Sequence, residues 1–477
     1  MQNDHSLSSP TAPAPHVDTP TYRGEDRRAF GLRRDKSYWR KRAIRRNLIF
    51  VTSLVLATAW LLFSIWLSLP WLSDLGELSH PVIAFTVLTF IAYVPGFMNA
   101  FLLATLALRP SQLKQEPEHW PGLTILVAAY QEEQLIANTL ENLAAMTYPG
   151  QIEVIVIDDG STDETFNGAG RCQSFFDAKP DYFLRVERMK QNSGKAKALN
   201  HGLGLASHDL IVTIDADTLL EPGSLRSMVA HLYAAPPKTA AIAGAILLAN
   251  PMESWATRAQ QWDYFHGISA VKRMQGNFNG TLVAQGAFSL YRREALLQAG
   301  GWPDTVGEDI VLTWSFLRRG YTVRHAEDAV AWTHAPETWS GLARQRKRWA
   351  RGMIEALAIH KRLLAKVRLS TIFIYWNLMF ISIDLAFTLA FIPGLLLAIF
   401  GIYWLAGPIT LLVLPLAALW NIVIFRIQMR MLRRNDIKMK KSFGGFVLFA
   451  FLYPFIMQPV SVWGYAAELF GRKKEWH

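Results

Sequence analysis

Long apolar stretches limit what this chain can fold into more than any other feature of its sequence. Two of them begin at Asn47 and Pro81, and each reaches or exceeds the roughly 20 residues that a helix needs to span the hydrocarbon core of a bilayer. Three more follow a long mixed segment, at 371–400, 401–425 and 444–465. Buried helices of a large soluble domain are the alternative. Stretches this long and this poor in charge favour membrane-spanning helices instead.

The first apolar stretch is not typical of a cleaved signal peptide. It is longer than the apolar region of such a peptide, it begins far from Met1, and a second stretch follows soon after it. We therefore expect an uncleaved anchor in a protein that crosses the membrane several times.

Basic residues are concentrated beside the apolar stretches. The formal net charge is +11, with eleven Lys and Arg residues between Arg23 and Arg46 and seven more between Arg426 and Lys441. Such runs are also typical of nucleic-acid binding. Their position directly beside the apolar stretches favours the positive-inside rule, with both runs on the cytoplasmic side. We therefore predict no nucleic-acid partner.

This charge distribution predicts a multi-pass topology in the inner (cytoplasmic) membrane. With the N-terminus inside, the first two spans go out and back, so the segment from Arg109 to Ser370 is cytoplasmic. The third and fourth spans return the second basic run to the inside. The fifth would place the C-terminal sequence GRKKEWH outside, against the same rule. Pro454 and Pro459 leave a broken or re-entrant helix open there.

The sequence divides accordingly into five segments. They are a disordered basic tail (1–46), two transmembrane helices (47–107), a cytoplasmic domain (108–345), amphipathic interface helices (346–370) and about three transmembrane or re-entrant helices (371–477). Because the first residues are rich in Ser, Thr, Pro and Ala, they cannot bury enough apolar area to order themselves. The single cysteine, Cys172, excludes an intramolecular disulfide and a thiolate metal cluster.

The cytoplasmic segment alternates between patterns typical of strands and of helices. Short uncharged apolar runs at 123–130, at 152–157 and before Asp215 are typical of strands buried on both faces of a parallel sheet. Between the first two, apolar residues recur at helical spacing and predict a helix from about Glu132 to Met146. Repetition of strand, helix and strand predicts an α/β fold with a doubly wound sheet.

Pairs of acidic residues follow two of these predicted strands. Asp158 and Asp159 end the second strand, and Asp215 and Asp217 end the third. Ligands of such sheets bind beyond the carboxyl ends of the strands. Capping of the next turn explains Asp158 and Asp159 equally well. In an extended strand, residues two apart point to one face, so Asp215 and Asp217 favour a site for a hard divalent cation that bridges a diphosphate.

The sequence KQNSGKAKALNHGL lies between the second and third of these strands. Asn192, Gly194 and Lys195 precede a predicted helix that begins near Ala196, where exposed amides and a lysine can meet phosphate or sugar oxygens. An ordinary solvated helix start explains the same residues, and this stretch alone slightly favours that explanation. The sequence contains no P-loop pattern that would bind phosphate elsewhere.

Two adjacent acids, Glu308 and Asp309, precede the helix-like segment IVLTWSFLRRGY. In the first turn of a helix they would interact favourably with the helix dipole, by about 0.3–1 kcal/mol. The alternative is a general base, because an aspartate that is ionised at neutral pH can accept a proton from an attacking hydroxyl. An adjacent carboxylate would raise the pKa of that base toward a more useful value.

The motif QRKRW carries a third set of candidate residues. Gln345, Arg348 and Trp349 are spaced to share one face of a helix. Arginine suits a leaving diphosphate, and tryptophan suits the apolar face of a sugar ring. The alternative is a patch of basic residues on lipid headgroups, with Trp349 in the membrane interface. Both explanations can hold for different residues of the helix.

Four motifs in this order, DDGSTDET, DAD, GED and QRKRW, resemble those of the processive family-2 glycosyltransferases. That family includes the cellulose, hyaluronan, chitin and poly-N-acetylglucosamine synthases. The resemblance covers about Pro121 to Gly352. The segments GEDIVLTWSFLRRGY, PETWSGLARQRKRWARG and QPVSVWGYAAELFGRKK look most like the bacterial poly-β-1,6-N-acetylglucosamine synthases. This resemblance implies a GT-A-type domain beside an α-helical transmembrane region.

The resemblance also implies roles for individual residues. Positions that bind the nucleotide sugar are matched by Ala129, Tyr130, Glu132, Asp158, Asp159, Lys195 and Asp215. Asp215 and Asp217 match the positions that hold Mg²⁺ or Mn²⁺, and Asp309 matches the general base. Positions at the acceptor and the diphosphate are matched by Gly286, Ala287, Glu308, Gln345, Arg348 and Trp349. Gln131 and Gly307 depart from the family, which often has Asn and Thr there, and these departures blur which sugar is used.

The function implied is that of a hexosyltransferase that polymerises a UDP-sugar, with inversion, into an exopolysaccharide such as those of biofilms. UDP-N-acetylglucosamine is preferred to UDP-glucose, which a cellulose-like synthase would use. The expected partners are the UDP-sugar, the growing polysaccharide and the lipid bilayer. For export of the product, two alternatives stay open: the five spans alone, or a pore completed by a small membrane subunit. Transfer of one sugar to a lipid phosphate carrier is an alternative, but it gives the QRKRW residues less of a role. A non-catalytic membrane scaffold is a third, which the intact acidic residues disfavour.

Overall fold

A computed structural model describes residues 36–78, 80–112, 114–403 and 410–471 of the chain. Helix α1 (Lys36–Leu67) is followed by α2 (Leu69–Leu78), α3 (Pro81–Leu88) and, after a π-helical turn, α4 (Val94–Leu108). Most of the predicted disordered tail, residues 1–35, lies outside the described residues. The rest of it, Lys36 to Arg46, is helical, so the predicted boundary after Arg46 is wrong. Lys and Arg are good helix formers, so the basic segment continues the helix of the apolar stretch.

One mixed sheet of eight strands forms the centre of the segment that follows. In chain order the strands are β1 (Leu123–Ala129), β2 (Ile152–Asp158), β3 (Tyr182–Arg188), β4 (Leu210–Asp215), β5 (Thr218–Leu220), β6 (Thr239–Leu248), β7 (Phe288–Arg292) and β8 (Thr322–Thr333). In space the order is β3-β2-β1-β4-β7-β6-β8-β5. The first four of these are parallel, which confirms the predicted doubly wound part of the sheet, and β7 runs antiparallel to both of its neighbours.

Helices connect these strands and pack against the sheet. They are α5 (Ile136–Ala144), α6 (Thr165–Arg171), α7 (Gln173–Asp177), α8 (Lys195–Leu205), α9 (Ser224–Tyr233), α10 (Trp255–Trp262), a π-helical segment (Asp263–Ala270), α11 (Val271–Asn277), α12 (Arg293–Ala299), α13 (Glu308–Arg318), α14 (Trp339–Ile359) and a 3₁₀ segment (Lys361–Ala365). Helix α8 packs on β1 and β2, while α9, α11 and α13 pack on β8. The predicted boundary after Gln345 is wrong, because α14 continues through it without a break.

The sequence pattern placed the first of these helices too early and did not identify five of the eight strands, of which β3 is the first in the chain. Helix α5 begins at Ile136 rather than near Glu132, because Gln131 has a left-handed backbone (φ 58°) and Glu132 donates its amide to the Thr165 hydroxyl at 2.7 Å. Strand β3 has exposed residues at alternate positions, as expected where the sheet ends. Its sequence therefore lacks the continuous apolar run that marks a fully buried strand.

The C-terminal part of the chain is helical. It contains α15 (Phe373–Ala386), α16 (Ile392–Ile399), α17 (Thr410–Arg434), α18 (Phe443–Val447) and α19 (Tyr453–Leu469), with π-helical turns before α16 and α19. Each of these turns precedes a proline in the first turn of the next helix, as does the turn before α4. Because proline cannot donate an amide hydrogen bond, a wider turn accommodates it without ending the helix. Pro454 and Pro459 therefore leave the last helical stretch continuous.

Among the residues that the structure describes, four helical stretches are long and apolar enough to cross a membrane. They are Ser37–Leu67, Pro81–Leu108, Phe373–Ile399 and Phe443–Leu469. These four agree with the first, second, third and fifth predicted spans. The other predicted span, 401–425, includes residues 404–409, which lie outside the described residues, and it stays a prediction.

Helix α19 contacts α14 through a glycine, and this contact joins a candidate span to the sheet domain. A methyl group on Gly464 would lie 2.7 Å from the Ala350 side chain and 2.8 Å from the Lys347 carbonyl oxygen. We expect Gly464→Ala to lower the stability of the protein by about 1–3 kcal/mol, because the two helices must separate to relieve the overlap. The thermal unfolding temperature of the purified protein measures this effect.

Gly204→Ala is the matched control for this substitution. Gly204 is also helical, but no atom lies within 4 Å of the position that its methyl group would occupy. We expect this control to unfold at or above the wild-type temperature, because alanine favours a helix more than glycine does. Equal unfolding temperatures for Gly464→Ala and the wild type would show that the contact is looser than described.

Candidate active site

Lys195 lies at the centre of the predicted site residues. It begins α8, and its ammonium Nζ forms an ion pair with Asp215 Oδ1. A methyl group on Gly286 would lie 2.8 Å from this Nζ and 3.9 Å from Glu308 Oε1, so the three residues are neighbours. Burial lowers the pKa of Lys195, but Asp215 and Glu308 raise it more, to about 12. Lys195 is therefore a permanent cation between two carboxylates from distant parts of the chain.

Asp217 lies beside this ion pair, in a turn rather than in a strand. Strand β4 ends at Asp215, so the prediction that both acids face one side of an extended strand is wrong. Their carboxylates come close because the turn is fixed by the hydroxyls of Thr218 and Thr333, which both donate to Asp217 Oδ1 at 3.1 Å. No hydrogen bond to Asp217 Oδ2 is seen among the described residues. Burial, and then Asp215, raise the pKa of Asp217.

Glu132 adds a third carboxylate to the same place. Burial, followed by the charges of Asp217 and Asp215, raises the pKa of Glu132 to about 7. Three acids thus crowd around the DAD turn with Lys195 as the cation paired to one of them. Within the part of the chain that the structure describes, no cluster of three or more His, Cys, Asp and Glu side chains is arranged to hold a metal ion by itself.

Asp158 and Asp159 are buried and bonded within the protein. Asp159 accepts hydrogen bonds from the amides of Ser193 (2.8 Å) and Gly194 (2.7 Å), and so fixes the loop that leads to Lys195. Asp158 accepts a hydrogen bond from the Ser161 amide at 3.1 Å and pairs with Arg188 at 3.2 Å. Both acids therefore shape the loops of the site, which is the capping role that the sequence left open.

The end of β1 is tied to the loop that contains DDGSTDET. The Asp159 amide donates to the Ala129 carbonyl at 2.8 Å, and Tyr130 follows, partly exposed. The Gln131 amide donates to the Ser161 hydroxyl at 3.0 Å, and its side chain bonds to the same loop. Gln131 thus fixes this loop by hydrogen bonds, at a left-handed backbone position that asparagine also tolerates well.

Glu308 and Asp309 begin helix α13. Asp309 Oδ1 accepts a hydrogen bond from the Ile310 amide at 2.7 Å, as a first-turn acid does. Burial, and then the neighbouring Asp309, raise the pKa of Glu308 to about 7, against the opposing effects of Lys195 and Arg348. The pair therefore lies within electrostatic reach of both cations. Ala287 lies in the turn between Gly286 and β7.

Helix α14 carries the QRKRW residues, and its tryptophan is open to solvent. Trp349 is 39% exposed, and its ring lies 6.3 Å from the ring of Tyr264, measured between centroids. Arg348 is also exposed and acts on both Lys195 and Glu308. Gln345 Oε1 is buried and accepts no hydrogen bond from a described residue. Of the predicted face, Arg348 therefore acts on residues of the site, and the roles of Gln345 and Trp349 stay predictions.

The lipid-headgroup explanation is wrong for two of the basic residues in this helix. Arg346 pairs with Asp263 at 2.5 Å and lies over the Trp349 ring at 4.1 Å, and the Tyr453 hydroxyl donates to the same Asp263 carboxylate at 3.1 Å. Arg351 pairs with Glu468 at 3.0 Å. Because these guanidinium groups bind carboxylates, they hold α14 to the π-helical segment and to α19.

The loop before α13 touches α14 at two glycines. A methyl group on Gly307 would lie 2.7 Å from the Gly352 Cα, and one on Gly352 would lie 2.8 Å from the Gly307 Cα. Glu355 Oε2 accepts hydrogen bonds from the Val306 amide (2.8 Å) and the Gly307 amide (3.3 Å). The glycine that departs from the family pattern is therefore required by the backbone of the partner helix.

Three side chains of the site were missed from the sequence. Lys272 on α11 lies close to Asp309, and burial lowers the pKa of Lys272 to about 7 although Asp309 opposes this. The Tyr264 ring lies 6.3 Å from the Trp349 ring and 5.9 Å from the Arg346 guanidinium, and His334 Nδ1 lies 3.2 Å from the Asp217 carbonyl oxygen. None of them belongs to a local motif, so only their contacts in the fold identify them.

Comparison with known proteins is decisive for the family. Residues 121–352, which include all four motifs, match the protein family described as "Glycosyltransferase like family 2". This segment is a family-2 glycosyltransferase domain. The resemblance inferred from the motifs is confirmed.

Relatives and a solved structure agree with this assignment. Poly-beta-1,6-N-acetyl-D-glucosamine synthases of Staphylococcus aureus (strain COL) and Staphylococcus epidermidis are 31% and 29% identical to this glycosyltransferase over 280 and 282 residues. The alignments cover 56% and 57% of this chain and 66% of each relative, just under two thirds of its length. The mannosyltransferase PcManGT from Pyrobaculum calidifontis, solved with GDP-Man and Mn²⁺, has a TM-score of 0.58 at 21% identity, covering 82% of this chain and 99% of that one. This last similarity confirms the fold.

We expect Gly307→Ala to impair glycosyl transfer by this domain about tenfold or more. The added methyl group would force the Gly307 loop and α14 apart, which moves Asp309 away from Arg348, and misplacement by about 1 Å can cost 10²-fold in rate. The rate of sugar transfer by purified protein measures the effect. Gly170→Ala is the control, because Gly170 is helical, exposed and has no atom within 4 Å of its methyl position. Equal rates for the two variants would contradict the prediction.

Proposed function

We propose that this chain is a processive, inverting glycosyltransferase that polymerises a sugar from a UDP-sugar at the membrane, with UDP-N-acetylglucosamine as the preferred donor. One observation carries the proposal. Lys195 and Arg348 both act on Glu308, next to Asp309, and the Trp349 ring that follows Arg348 is 39% exposed, on elements that contact each other at Gly307 and Gly352. The identity to poly-beta-1,6-N-acetyl-D-glucosamine synthases supports the choice of sugar.

In this proposal Asp309 is the general base. Its Oδ1 is held by the Ile310 amide, which fixes the direction of the carboxylate at the start of α13. An acceptor hydroxyl placed beside it loses its proton to Asp309 as its oxygen attacks the anomeric carbon of the donor. The bond from that carbon to the UDP oxygen breaks on the opposite side, so the configuration inverts.

The leaving diphosphate is met by positive charge from two elements. Lys195 and Arg348 both act on Glu308, so they lie on one side of the site. Their cations offset the charge that grows on the diphosphate as the bond breaks. Glu308, between them, positions Lys195 against Asp215.

The acids of the DAD turn suit a divalent cation. The carboxylates of Glu132, Asp215 and Asp217 lie close together. The pKa values of Glu132 and Asp217 are raised, and Asp215 pairs with Lys195. Asp217 Oδ2 has no hydrogen-bond partner among the described residues. Carboxylate oxygens are the ligands that Mg²⁺ and Mn²⁺ prefer. Asp217 and Asp215 would hold such an ion, with oxygens of the donor diphosphate completing its coordination. When bound, the ion supplies positive charge to the leaving group.

Trp349 and the membrane helices account for processivity. Tyr264 and Arg346 pack on Trp349 while 39% of it stays exposed, so its free surface can stack on the apolar face of the sugar at the acceptor end. Because α14 contacts the candidate span α19 at Gly464, a polysaccharide whose end is held at Trp349 lies close to the membrane. The proposal includes a cytoplasmic position of the domain, a multi-pass arrangement in the inner membrane, and export of the product with or without a small partner subunit.

The test is synthesis by membranes that contain this chain. Membranes are incubated with Mg²⁺ or Mn²⁺ and labelled UDP-N-acetylglucosamine or UDP-glucose, and the products are separated by size and by solvent extraction. Polymer of high mass, formed from UDP-N-acetylglucosamine and digested by a hydrolase specific for β-1,6 linkages, supports the proposal. Short, solvent-extractable products would show transfer to a lipid carrier, and polymer from UDP-glucose alone would show a cellulose-like synthase.

Asp309→Asn keeps the size of the side chain and removes its capacity to accept a proton. We expect the rate constant for sugar transfer to fall by about 10²–10⁴-fold, with little change in KM for the donor. UDP release by purified protein measures both constants. Asp304→Asn is the matched control, because Asp304 is an exposed acid that pairs with Lys197 at 3.2 Å. A rate within a few-fold of the wild type for Asp309→Asn would exclude it as the base.

Binding of the divalent cation is expected to depend on pH in a defined direction. The pKa of Glu132 is raised from 4.5 to about 7. The contribution of this group to the free energy of unfolding is therefore fully present below pH 4.5 and is lost as the pH rises through 7. A bound cation offsets that loss, because it competes with protons for the same carboxylates. We therefore expect Mn²⁺ to raise the thermal unfolding temperature more at pH 8 than at pH 6.

The cation experiment has its own control. Asp217→Asn removes a ligand charge, so Mn²⁺ should change its unfolding temperature much less than that of the wild type at pH 8. An equal Mn²⁺ effect in the two proteins, or an equal effect at pH 6 and pH 8 in the wild type, would place the cation elsewhere.

A further inference from the structure

Arg324, on β8, has two guanidinium nitrogens without a hydrogen-bond partner among the described residues. The residue is 8% exposed, and its Nε and Nη1 atoms are fully buried without a hydrogen bond to any described residue. Arginine stays protonated in proteins, so the charge cannot be removed by titration. A buried charge without a partner costs several kcal/mol in general. An anion that pairs with Arg324 would recover much of that cost.

Two further arginines approach Arg324 from helix α1. Arg42, Arg46 and Phe50 are four residues apart and so share one face of this helix. The Phe50 ring packs 5.5 Å from the ring of Phe278, which directly follows α11. Helix α11 in turn packs on β8, the strand of Arg324. The face with both arginines is therefore turned toward β8, and Arg46 Nε is also buried without a hydrogen-bond partner in the described residues.

A third arginine comes from the end of α4. Arg109 directly follows this helix and pairs with Glu327 at 2.8 Å, three residues beyond Arg324 on β8. Burial lowers the pKa of Arg324 to about 10, and Arg42, Arg109 and Arg46 all add to that effect. Four positive charges from three elements therefore meet at one place.

The acidic residues at this place do not balance those charges. Glu327 is shared between Arg109 and Arg273, at 2.8 and 2.6 Å. The next acid, Asp328, pairs with Lys114 and His231. Tyr38 contributes its ring, which lies 5.8 Å from the Arg42 guanidinium. The described residues thus leave Arg42, Arg46 and Arg324 without a carboxylate.

This cluster lies where two candidate spans meet the sheet domain. The Thr105 hydroxyl donates to Ser53 at 3.1 Å, and the rings of Phe50 and Phe101 are 5.5 Å apart, so the start of the α1 span lies beside the end of α4. Arg46 directly precedes the apolar stretch of α1, and Arg109 directly follows α4. At this depth a bilayer presents the phosphates of its headgroups.

We propose that Arg324, Arg42, Arg46 and Arg109 form a binding site for the phosphate of an anionic phospholipid headgroup. Guanidinium groups bind phosphate oxygens through two parallel hydrogen bonds, which suits a site built from several arginines. The lipid would connect α1, α4 and β8 and thereby fix the sheet domain against the membrane.

The test compares adjacent arginines on α1. Purified full-length protein in neutral detergent micelles is titrated with phosphatidylglycerol, and the thermal unfolding temperature and the retained lipid are measured, the latter by native mass spectrometry. We expect phosphatidylglycerol to raise the unfolding temperature of the wild type in a saturable way. For Arg46→Gln and Arg324→Gln, the lipid concentration at the midpoint of this rise should be about tenfold higher than for the wild type. Arg45→Gln is the matched control, because Arg45 is the exposed neighbour of Arg46 and its loss changes the net charge equally.

The lipid-free state provides a second readout. Without phosphatidylglycerol, Arg324→Gln should be at least as stable as the wild type, because it removes a buried unpaired charge. With saturating phosphatidylglycerol the order should reverse. If Arg324→Gln does not fold, the comparison of Arg46→Gln with Arg45→Gln decides the question.

Three results would overturn the proposal. Equal midpoints for Arg45→Gln and Arg46→Gln would show unspecific attraction of lipid to a basic surface. A rise of the same size with inorganic phosphate, at the same concentration, would show a site for a free anion. A fall in the unfolding temperature of the lipid-free protein in Glu25→Gln/Asp26→Asn would show that acids of the chain itself occupy the site.

Discussion

Helix α14 is fixed by backbone contacts that leave no space for a side chain, and the geometry of the site depends on this. On one side Gly352 touches Gly307, and on the other Gly464 of α19 touches the backbone at Lys347. Backbone contacts cannot be relaxed by a change of rotamer, in contrast to contacts between flexible side chains. The distance from Asp309 to the QRKRW residues, and from these to a candidate span, is therefore set by the fold. Transfer of a sugar needs that precision more than it needs any single strong interaction.

The electrostatics of the site follow from the crowding of acids around one lysine. Glu132 and Asp217 feel the charge of Asp215, Glu308 feels that of Asp309, and Asp215 and Glu308 both act on Lys195. Crowding of this kind destabilises the folded protein, and it persists in proteins where a ligand with opposite charge offsets it. A divalent cation bound with a nucleotide diphosphate supplies the positive charge that these acids lack. These crowded acids thus give the site an electrostatic preference for a cation bound together with the proposed donor.

Much of the fold and of the site could be predicted from the sequence, because the deciding signals are local. Apolar runs marked β1, β2 and β4, and the order of DDGSTDET, DAD, GED and QRKRW identified the family. Features that depend on contacts between residues distant in the chain could not be predicted from the sequence. The turn at Asp217 is fixed by Thr333, and Lys272 has meaning only beside Asp309. Arg324 looks like any arginine in its strand, since its burial comes from helices far away in the chain.

The basic residues illustrate why net charge says little about individual roles. From the sequence, the basic residues near the spans were assigned to the membrane surface, to nucleic acid or to a diphosphate, yet Arg346 and Arg351 hold carboxylates inside the protein. Arginine suits those positions because its planar fork matches a carboxylate. Lys195 is different, since its Nζ lies against Gly286, and a methyl group there would already come within 2.8 Å. Because a guanidinium is larger than an ammonium, we expect an arginine at this position to crowd Gly286, so the position favours the compact charge of an ammonium. The choice between the two cations is therefore made by the space at each site, and the absence of a side chain at residue 286 is part of what makes the lysine possible.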